Sequence, residues 1–330
     1  MFSEPVSPRA YQFASLLKRL ALFPRSLCLT YAQFQSPGTS LTYIGEGESL
    51  PYLREILEVG QLKEWRIAIW NLHKVIRQLL LSGTWLCVEI DRLLVPFVSG
   101  GEMASTYPWI RQRIYLGNNQ YRERKRQIED NFGRKVRKYR YSFRLVHGDG
   151  VVERFYSCLY LPHIKARFGT AANPRSESEL KKFVKNGFLL QVLCEDQWIA
   201  GAVCTAGNRE ISARAFGHLP EGKYSLSLGG LSATYYYILR YAVEHNLDYV
   251  DLLRSRPNSA DGVYCHKKRW GAVAEIDSWP HTAILFFSGQ GVPVPEKLKT
   301  LLVWDGVEFK ELRDSCSNSE VAEIAGQGGP

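Results

Sequence analysis

The sequence predicts an α+β protein in which a mixed, mostly antiparallel sheet is flanked by helices. A chain of 330 residues is too long for one typical core and suits two linked domains. Its content of 45% hydrophobic and 23% charged residues is ordinary for a folded protein. Amphipathic helical stretches also alternate with short apolar strands along the C-terminal half. Together these observations favour two folded α+β domains over a disordered chain.

The C-terminal half has the clearest pattern of elements. In chain order, hydrophobic periodicity predicts helices over 154–168 and 177–186, strands over 188–194, 198–204 and 210–216, a helix over 231–244, a strand over 249–253, a helix over 264–270 and strands within 275–287. Three consecutive strands with short links form an antiparallel meander, and the helix and strand that follow need one crossover connection.

The N-terminal part follows a weaker version of this pattern. Helices are predicted over 10–22, 50–60 and 62–81, and an apolar strand over 85–90. The predicted division is a degenerate half over 1–110, a linking segment over 111–144, the principal domain over 145–305 and a disordered tail over 314–330.

The positive charge of the chain is concentrated in the linking segment. The chain has a net charge of +9, and residues 111–144 hold twelve Lys and Arg against three acidic residues. Three interpretations remain open: a solvated helix between two domains, a tRNA-binding surface, or a surface for an anionic membrane or lipid-linked acceptor. In the second, tyrosines at positions 115, 121, 139 and 141 would stack on bases. Sequence-specific DNA binding is not expected, because no helix-turn-helix or zinc-finger pattern accompanies the charge.

Export and membrane insertion are not expected from this sequence. Residues 1–25 lack the basic-then-apolar order of a signal peptide, and no apolar run approaches the length of a bilayer span. The seven cysteines form no CxxC pair, so we predict neither a metal site nor a disulfide framework. A cytoplasmic protein with reduced, buried thiols is the expectation.

Four stretches of the sequence resemble the GNAT acyltransferase superfamily, and more narrowly its FemAB-like branch, whose members contain two GNAT units in tandem. The stretches are FYSCLYLPHIKARFG (155–169), NGFLLQVLCEDQWIAGAVC (186–204), GGLSATYYYILRYAVEHNLDYVDLLRSRPNSADG (229–262) and YCHKKRWGA (264–272). The resemblance implies two tandem GNAT-like units and a direct acyl transfer in a slot between two parting central strands.

The resemblance also implies where an acyl donor binds. In typical GNAT enzymes the pyrophosphate of coenzyme A lies on backbone amides at the start of the central helix, where the helix dipole favours an anion. The matching residues are Gly229, Gly230, Leu231 and Ser232, with Ser232 expected to cap the helix. The usual Q/R-x-x-G-x-G/A loop is missing, so the donor is left open among acyl-coenzyme A, an acyl-carrier protein and aminoacyl-tRNA. No tightly bound cofactor is expected.

Acyl transfer to an amine needs a base for the ammonium proton and donors for the oxyanion. The candidate bases are Asp261, Asp251 and His218, with Asp261 preferred because it follows the Ser-Arg-Pro turn. The candidates for binding a phosphate or carboxylate of either substrate are Arg254, Ser255, Arg256, Lys267, Lys268 and Trp270.

Structural roles are the alternatives for several of these residues. Asp251 also suits a strand end or a pair with Arg254, and the run from Lys267 to Arg269 suits a solvated turn. His266 is a weaker candidate, and His163 is expected to pack on an aromatic helix face. The tyrosines at 235, 236, 237 and 241 are expected in the core or on the helix surface, with one hydroxyl able to reach the slot.

Three functions follow from this reading. The first is an N-acyltransferase that uses a thioester donor and the amine of a small molecule or envelope precursor. The second is an aminoacyl-tRNA-dependent ligase of the FemAB type, and the third is a non-catalytic binding protein with a GNAT fold.

Overall fold

The computed structural model describes residues 28–36, 39–57, 63–98, 103–169, 173–219, 229–277, 281–288 and 292–314. The predicted helix over 10–22 and the predicted tail, apart from residue 314, lie outside these residues. The strands are β1 Cys28–Ser36, β2 Thr39–Gly45, β3 Lys63–Ala68, β4 Trp85–Asp91, β5 Ala104–Thr106, β6 Ile110–Tyr115, β7 Ser142–Val146, β8 Gly187–Cys194, β9 Gln197–Ala206, β10 Glu210–His218, β11 Tyr249–Ser255, β12 Val273–Ile276, β13 Thr282–Phe287, β14 Leu302–Trp304 and β15 Phe309–Glu311.

The described α-helices follow the same chain order. They are α1 Leu50–Leu57, α2 Leu72–Leu81, α3 Asn119–Ile128, α4 Arg134–Lys138, α5 Asp149–Phe155, α6 Leu161–Phe168, α7 Glu177–Lys185, α8 Gly230–Glu244 and α9 Gly262–Arg269. A π-helical turn, Glu129–Gly133, joins α3 to α4, and a second one, Tyr156–Tyr160, joins α5 to α6.

The chain forms two compact units. We call them the C-terminal unit, which contains residues 112–253 and 266–273, and the N-terminal unit, which contains the described residues up to 111 together with 254–265 and those from 274 onward. These units differ from the predicted boundaries: residues 112–144 belong to the C-terminal unit and are no linker, and the chain from 274 belongs to the N-terminal unit.

A seven-stranded sheet in the order β12-β6-β11-β10-β9-β8-β7 is the centre of the C-terminal unit. Strands β7 to β10 are antiparallel neighbours, whereas β10 and β11 are parallel and joined by the crossover helix α8. Successive side chains of a strand point to opposite faces. Leu190 accordingly joins a core that contains Ile238 of α8, and Leu189 joins a separate core that contains Phe155 and Leu180.

An eight-stranded sheet, ordered β15-β14-β5-β13-β4-β2-β1-β3, is the centre of the N-terminal unit. Strand β13, from the C-terminal part of the chain, lies between β4 and β5 and pairs antiparallel with both. The parallel pair of this sheet, β2 and β4, is laddered over five residue pairs from Leu41 and Trp85 to Gly45 and Glu89.

Buried polar groups occupy the end of that parallel pair. Glu89 is fully buried and accepts hydrogen bonds from the hydroxyl of Tyr43 and from the backbone and hydroxyl of Ser49. Burial raises the pKa of Glu89 above its ordinary value. The network satisfies the hydrogen-bonding groups of this strand end internally.

The predicted fold class is confirmed: each unit is a mixed, mostly antiparallel sheet flanked by helices. The predicted helix over 62–81 is wrong in its first part, because residues 63–68 form β3 and only Leu72–Leu81 are helical. Among the described residues, no helix has the length and apolar character needed to cross a membrane. The expectation of buried thiols holds for Cys87, Cys194 and Cys204, whereas Cys28 and Cys158 are exposed.

Candidate active site

The two central strands of the C-terminal unit part after a short ladder. Strands β10 and β11 pair from Glu210 with Tyr249 to Ser212 with Asp251, which is only three residue pairs, although both strands continue. The register of β10 against β9 shifts between Ala213 and Ala215 at the same point. Because a bulge bends its strand and re-aims the residues that follow, this irregularity lets β10 diverge from β11. The gap is the feature that the resemblance led us to expect.

A close backbone approach holds the far end of β10. A Cβ atom at Gly217 would lie 2.8 Å from the carbonyl carbon of Leu159 and from the backbone nitrogen of Tyr160, so only glycine fits there. Leu159 and Tyr160 belong to the π-helical turn before α6. Their contact with β10 brings the ring of His163 on α6 to 4.3 Å, between centroids, from the ring of His218 at the strand end.

The hydrogen bonds of His218 define which ring nitrogen is available for proton transfer. Nδ1 lies 2.7 Å from the carbonyl oxygen of Leu219. A carbonyl only accepts, so Nδ1 carries the proton and Nε2 carries the lone pair. Nε2 is buried and has no hydrogen-bond partner among the described residues. His218 thus offers a proton acceptor at the end of the parted strand.

Two further imidazoles of this unit are held in the neutral form. Burial, followed by the neighbouring His218 and Arg167, lowers the pKa of His163 to about 4. Burial, followed by Arg167, Arg269 and Lys267, lowers the pKa of His266 to about 4. The cation of Arg167, one turn after His163 on α6, therefore acts on both rings. At neutral pH both imidazole rings are therefore uncharged.

A column of stacked aromatic rings forms the packed wall beside the gap. Phe216 of β10 stacks on Tyr235 of α8 with centroids 4.6 Å apart, and Tyr235 stacks on Trp270 at 5.3 Å. Trp270 is fully buried and also stacks on Phe132 at 4.1 Å. The ring of Trp270 is thus packed in the core, and its role in binding substrate stays a prediction. Tyr235 also meets the edge of His266 at 4.8 Å.

Helix α8 starts at the predicted glycines, with a different cap. Gly229 is the N-cap residue in the left-handed conformation, φ 82°, and no side chain caps the helix. Ser232 therefore does not cap, contrary to the prediction, and Leu231 and Gly230 are buried. A Cβ atom at Gly229 would lie 3.8 Å from Cδ of Lys135. The exposed side chain of Lys135 is therefore close to the N-terminus of α8.

The remaining predicted residues of the C-terminal unit have mixed environments. Lys267 is buried, with Nζ 3.5 Å from the carbonyl oxygen of Leu253, whereas Lys268 is exposed. Asp251 is fully buried and accepts from the hydroxyl of Ser212 at 3.3 Å and from the backbone N–H of Leu253 at 2.9 Å. Leu253 has φ 61°, a strained conformation that this second bond helps to hold. These contacts favour the structural alternative for Asp251.

The other predicted residues belong to the N-terminal unit and have structural partners there. Asp261 accepts from the backbone N–H groups of Val263 at 2.9 Å and of Tyr264 at 2.8 Å, and so caps the start of α9. Arg254 forms an ion pair with Asp277, and Ser255 is buried. These contacts give Asp261 a capping role, and its role as the base stays a prediction.

Arg256 lies between two aromatic rings of the N-terminal unit. Its guanidinium carbon is 3.8 Å from the ring centroid of Trp109 and 4.7 Å from that of Tyr52, and Nη1 donates to the carbonyl oxygen of Pro108 at 3.2 Å. Stacked in this way, Arg256 is a packing residue.

Of the predicted bases, His218 has a ring nitrogen without a hydrogen-bond partner among the described residues. The contact of His163 with His218 and the effect of Arg167 on His163 were not predicted. A signal for the pair was present: positions 163 and 167 are four residues apart within a predicted helix and so share one face. The sequence did not reveal that this helix contacts the end of β10. That contact depends on the close backbone approach at Gly217.

No group of three or more metal-binding side chains is found in the part of the chain that the structure describes. No protein-family profile and no curated protein matches the sequence.

Solved structures that resemble the chain include members of the expected superfamily and branch. L-PGS from Bacillus licheniformis is 10% identical, with a TM-score of 0.39 over 81% of this chain and 83% of that one. FemX is 10% identical, with a TM-score of 0.41 over 78% and 83%. A tandem GNAT protein from the clavulanic acid biosynthesis pathway is 11% identical, with a TM-score of 0.32 over 78% and 77%. With TM-scores below 0.5, these similarities carry no conclusion about the activity of this chain.

Proposed function

We propose that the C-terminal unit transfers an acyl group from a thioester donor to an amine. The observation that carries the proposal is the early parting of β10 and β11, with an unpartnered imidazole nitrogen at the end of β10. A strand edge without a neighbour presents backbone N–H groups, which are the donors that stabilise the oxyanion in acyl transfer.

The reaction assigns a role to His218. Nε2 takes a proton from the acceptor ammonium, and the free amine attacks the carbonyl carbon of the thioester. The C–N bond forms, the C–S bond breaks, and the resulting imidazolium gives its proton to the leaving thiolate. The second proton of the attacking nitrogen then passes to the regenerated imidazole and on to water, which leaves a neutral amide. His163, in contact with His218, stays neutral at pH 7 because of its low pKa. It therefore adds no positive charge that would oppose protonation of His218.

The start of α8 supports an anionic donor. The dipole of a 15-residue helix favours a phosphate at its first turn, and the exposed Lys135 lies beside Gly229. Acyl-coenzyme A and acyl-carrier protein both carry phosphate next to the pantetheine arm, so both fit this part of the proposal.

Thermal unfolding with a panel of donors tests the binding step. Acetyl-coenzyme A, longer acyl-coenzymes A and an acyl-carrier protein are added at about 100 times their expected Kd, which stabilises a binding protein by about 2.7 kcal/mol. A rise in Tm with at least one donor is expected. An unchanged Tm across the whole panel contradicts a thioester donor.

A substitution at His218 tests the chemical step. Release of thiol from the stabilising donor is followed with a mixture of amines, in the wild type, in His218→Gln and in His147→Gln as an exposed histidine of the same unit. We expect His218→Gln to lose about 10²- to 10⁴-fold in rate, as for removal of a general base, and to keep its donor-induced rise in Tm. Equal rates above background in the three proteins would contradict the role of His218, and rates no higher than the uncatalysed reaction in all three would favour a non-catalytic binding protein.

A second donor class is favoured by the exposed cations of helices α3 and α4. With the π-helical turn between them, these helices form one continuous helical segment that exposes the following basic residues: Arg122, Lys125, Arg134, Lys135, Arg137 and Lys138. An aminoacyl-tRNA would find phosphate contacts here, and the chain would then be an amino-acid ligase. Filter binding of charged tRNA from 50 to 200 mM salt tests this, because phosphate contacts give a steep salt slope. Binding that does not depend on salt removes this alternative.

A further inference from the structure

An open groove in the C-terminal unit lies away from the proposed acyl-transfer site. It has a volume of about 740 Å³, and its wall includes Tyr115, Arg122, Lys125, Val243 and Asp248. Val243 is near the C-terminal end of α8, and Gly230 is at the N-terminal end of that helix. With a rise of 1.5 Å per residue, about 20 Å separates the two positions. The groove is thus a separate site, and its size is in the range of small-molecule pockets.

Two cations line one side of this groove. Arg122 and Lys125 are three residues apart on α3, so their side chains lie on the same part of the helix surface. Both are exposed, and neither forms an ion pair with a described residue. An anion in the groove would provide charge-assisted hydrogen bonds that these two side chains lack within the fold.

Other residues of the groove wall offer an aromatic ring and an apolar surface. The ring of Tyr115 lies 5.4 Å from that of Tyr249, between centroids, which fixes its orientation. Leu247 is also part of the groove wall, and Val243, in the last turn of α8, is 41% exposed. A flat aromatic ligand would cover this surface and stack on the tyrosine.

A carboxylate completes the wall. Asp248 lies on the groove and forms an ion pair with Arg209, which offsets its repulsion of a bound anion. A carboxylate can accept hydrogen bonds from ribose hydroxyls, as an Asp or Glu does in Rossmann-type nucleotide sites. The groove therefore offers Tyr115 for an aromatic ring, Asp248 for sugar hydroxyls, and Arg122 with Lys125 for an anion.

We propose that this groove binds a nucleotide, with its base on Tyr115, its ribose near Asp248 and its phosphate on Arg122 and Lys125. The ligand is either a free mononucleotide or one nucleotide of a single-stranded RNA. Both present the same base, sugar and phosphate, and the arms of the experiment separate them.

Isothermal titration of the full chain tests the proposal. The probes are AMP, adenosine, inorganic phosphate and a ten-nucleotide single-stranded RNA. The variants are the double substitution Arg122→Ala/Lys125→Ala and, as matched control, Lys182→Ala/Lys185→Ala, which removes two exposed cations at the same spacing on α7. We expect the wild type to bind AMP at least 10-fold more tightly than adenosine or phosphate. The groove variant should lose at least 10-fold in AMP affinity and the control less than 2-fold.

The RNA arm identifies the source of the ligand. RNA that displaces AMP and loses affinity in the groove variant supports an RNA strand, whereas AMP binding with no competition from RNA supports a free nucleotide. The proposal is overturned if AMP and RNA both fail to bind at millimolar concentration, if phosphate binds as tightly as AMP, or if the groove and control variants behave alike. No acyl donor is present, so the AMP outcome does not depend on the proposed transfer from a thioester. The RNA outcome uses the same cations, Arg122 and Lys125, as the aminoacyl-tRNA alternative and rests on that alternative.

Discussion

The low pKa values of His163 and His266 predict a specific loss of stability in acid. Both imidazoles are neutral in the folded protein until the pH falls to about 4, whereas a histidine in the unfolded chain binds a proton near its ordinary value of 6.5. The unfolded state therefore holds more protons between these two values, and the free energy of unfolding falls as the pH falls through that window. Above pH 7 the two histidines have no such effect.

The size of the effect follows from the two pKa values. At pH 5 a group with pKa 6.5 when unfolded and about 4 when folded destabilises the protein by about 2 kcal/mol relative to pH 7.5. Two such groups account for about 4 kcal/mol, which is a large share of the stability of a typical domain. Replacement of both by glutamine, which does not titrate, should remove this part of the pH dependence.

Urea unfolding at pH 7.5 and pH 5.0 measures this pH dependence of the free energy of unfolding. The wild type, His163→Gln/His266→Gln and the exposed control His147→Gln are compared. The difference in unfolding free energy between the two pH values should be about 4 kcal/mol smaller in the double variant than in the wild type, and unchanged in the control. Equal pH dependence in all three proteins would refute the assignment of neutral, buried imidazoles, and so would NMR titration of either ring near pH 6.5.

Two further substitutions test the corrected site. Asp261→Ala removes the cap of α9 and should lower the free energy of unfolding by about 1 kcal/mol while leaving acyl transfer within 2-fold of wild type; a loss of 100-fold in rate at unchanged stability would restore Asp261 as the base. Trp270→Ala removes a fully buried indole between Phe132 and Tyr235 and should cost about 3–5 kcal/mol, as measured by urea unfolding; a stable variant that has lost only substrate affinity would contradict the placement of this ring in the core.

The elements that the sequence identified best are those with local signals. The predicted helix over 231–244 matches α8, and the predicted strands over 188–194 and 198–204 match β8 and β9, because each has a clear hydrophobic period. The strand Lys63–Ala68 was missed because only Ile67 is buried among its described side chains, which leaves little alternation to detect. Strands β14 and β15 have three residues each, too few for a period.

The division of the chain into two units could not be predicted from the sequence, for a different reason. Strand β13 completes the N-terminal sheet although it follows the C-terminal unit along the chain, and residues 112–144 contribute a strand and helices to the C-terminal unit. Long-range strand pairing has no signature in local periodicity, so a boundary drawn from composition separated segments that fold together.

By itself the sequence determined the fold class, the crossover helix with its glycine start, the excess of positive charge over 111–144 and His218 as one candidate base. These depend on residue type and on spacing along the chain. Tertiary structure decided which polar groups have hydrogen-bond partners and which side chains are buried. Asp251 and Asp261 accept backbone hydrogen bonds, and Trp270 is buried. His163 lies against His218. Burial and hydrogen bonding depend on neighbours in three dimensions, which residue type and spacing do not reveal. His218 is a candidate base because its Nε2 has no hydrogen-bond partner among the described residues.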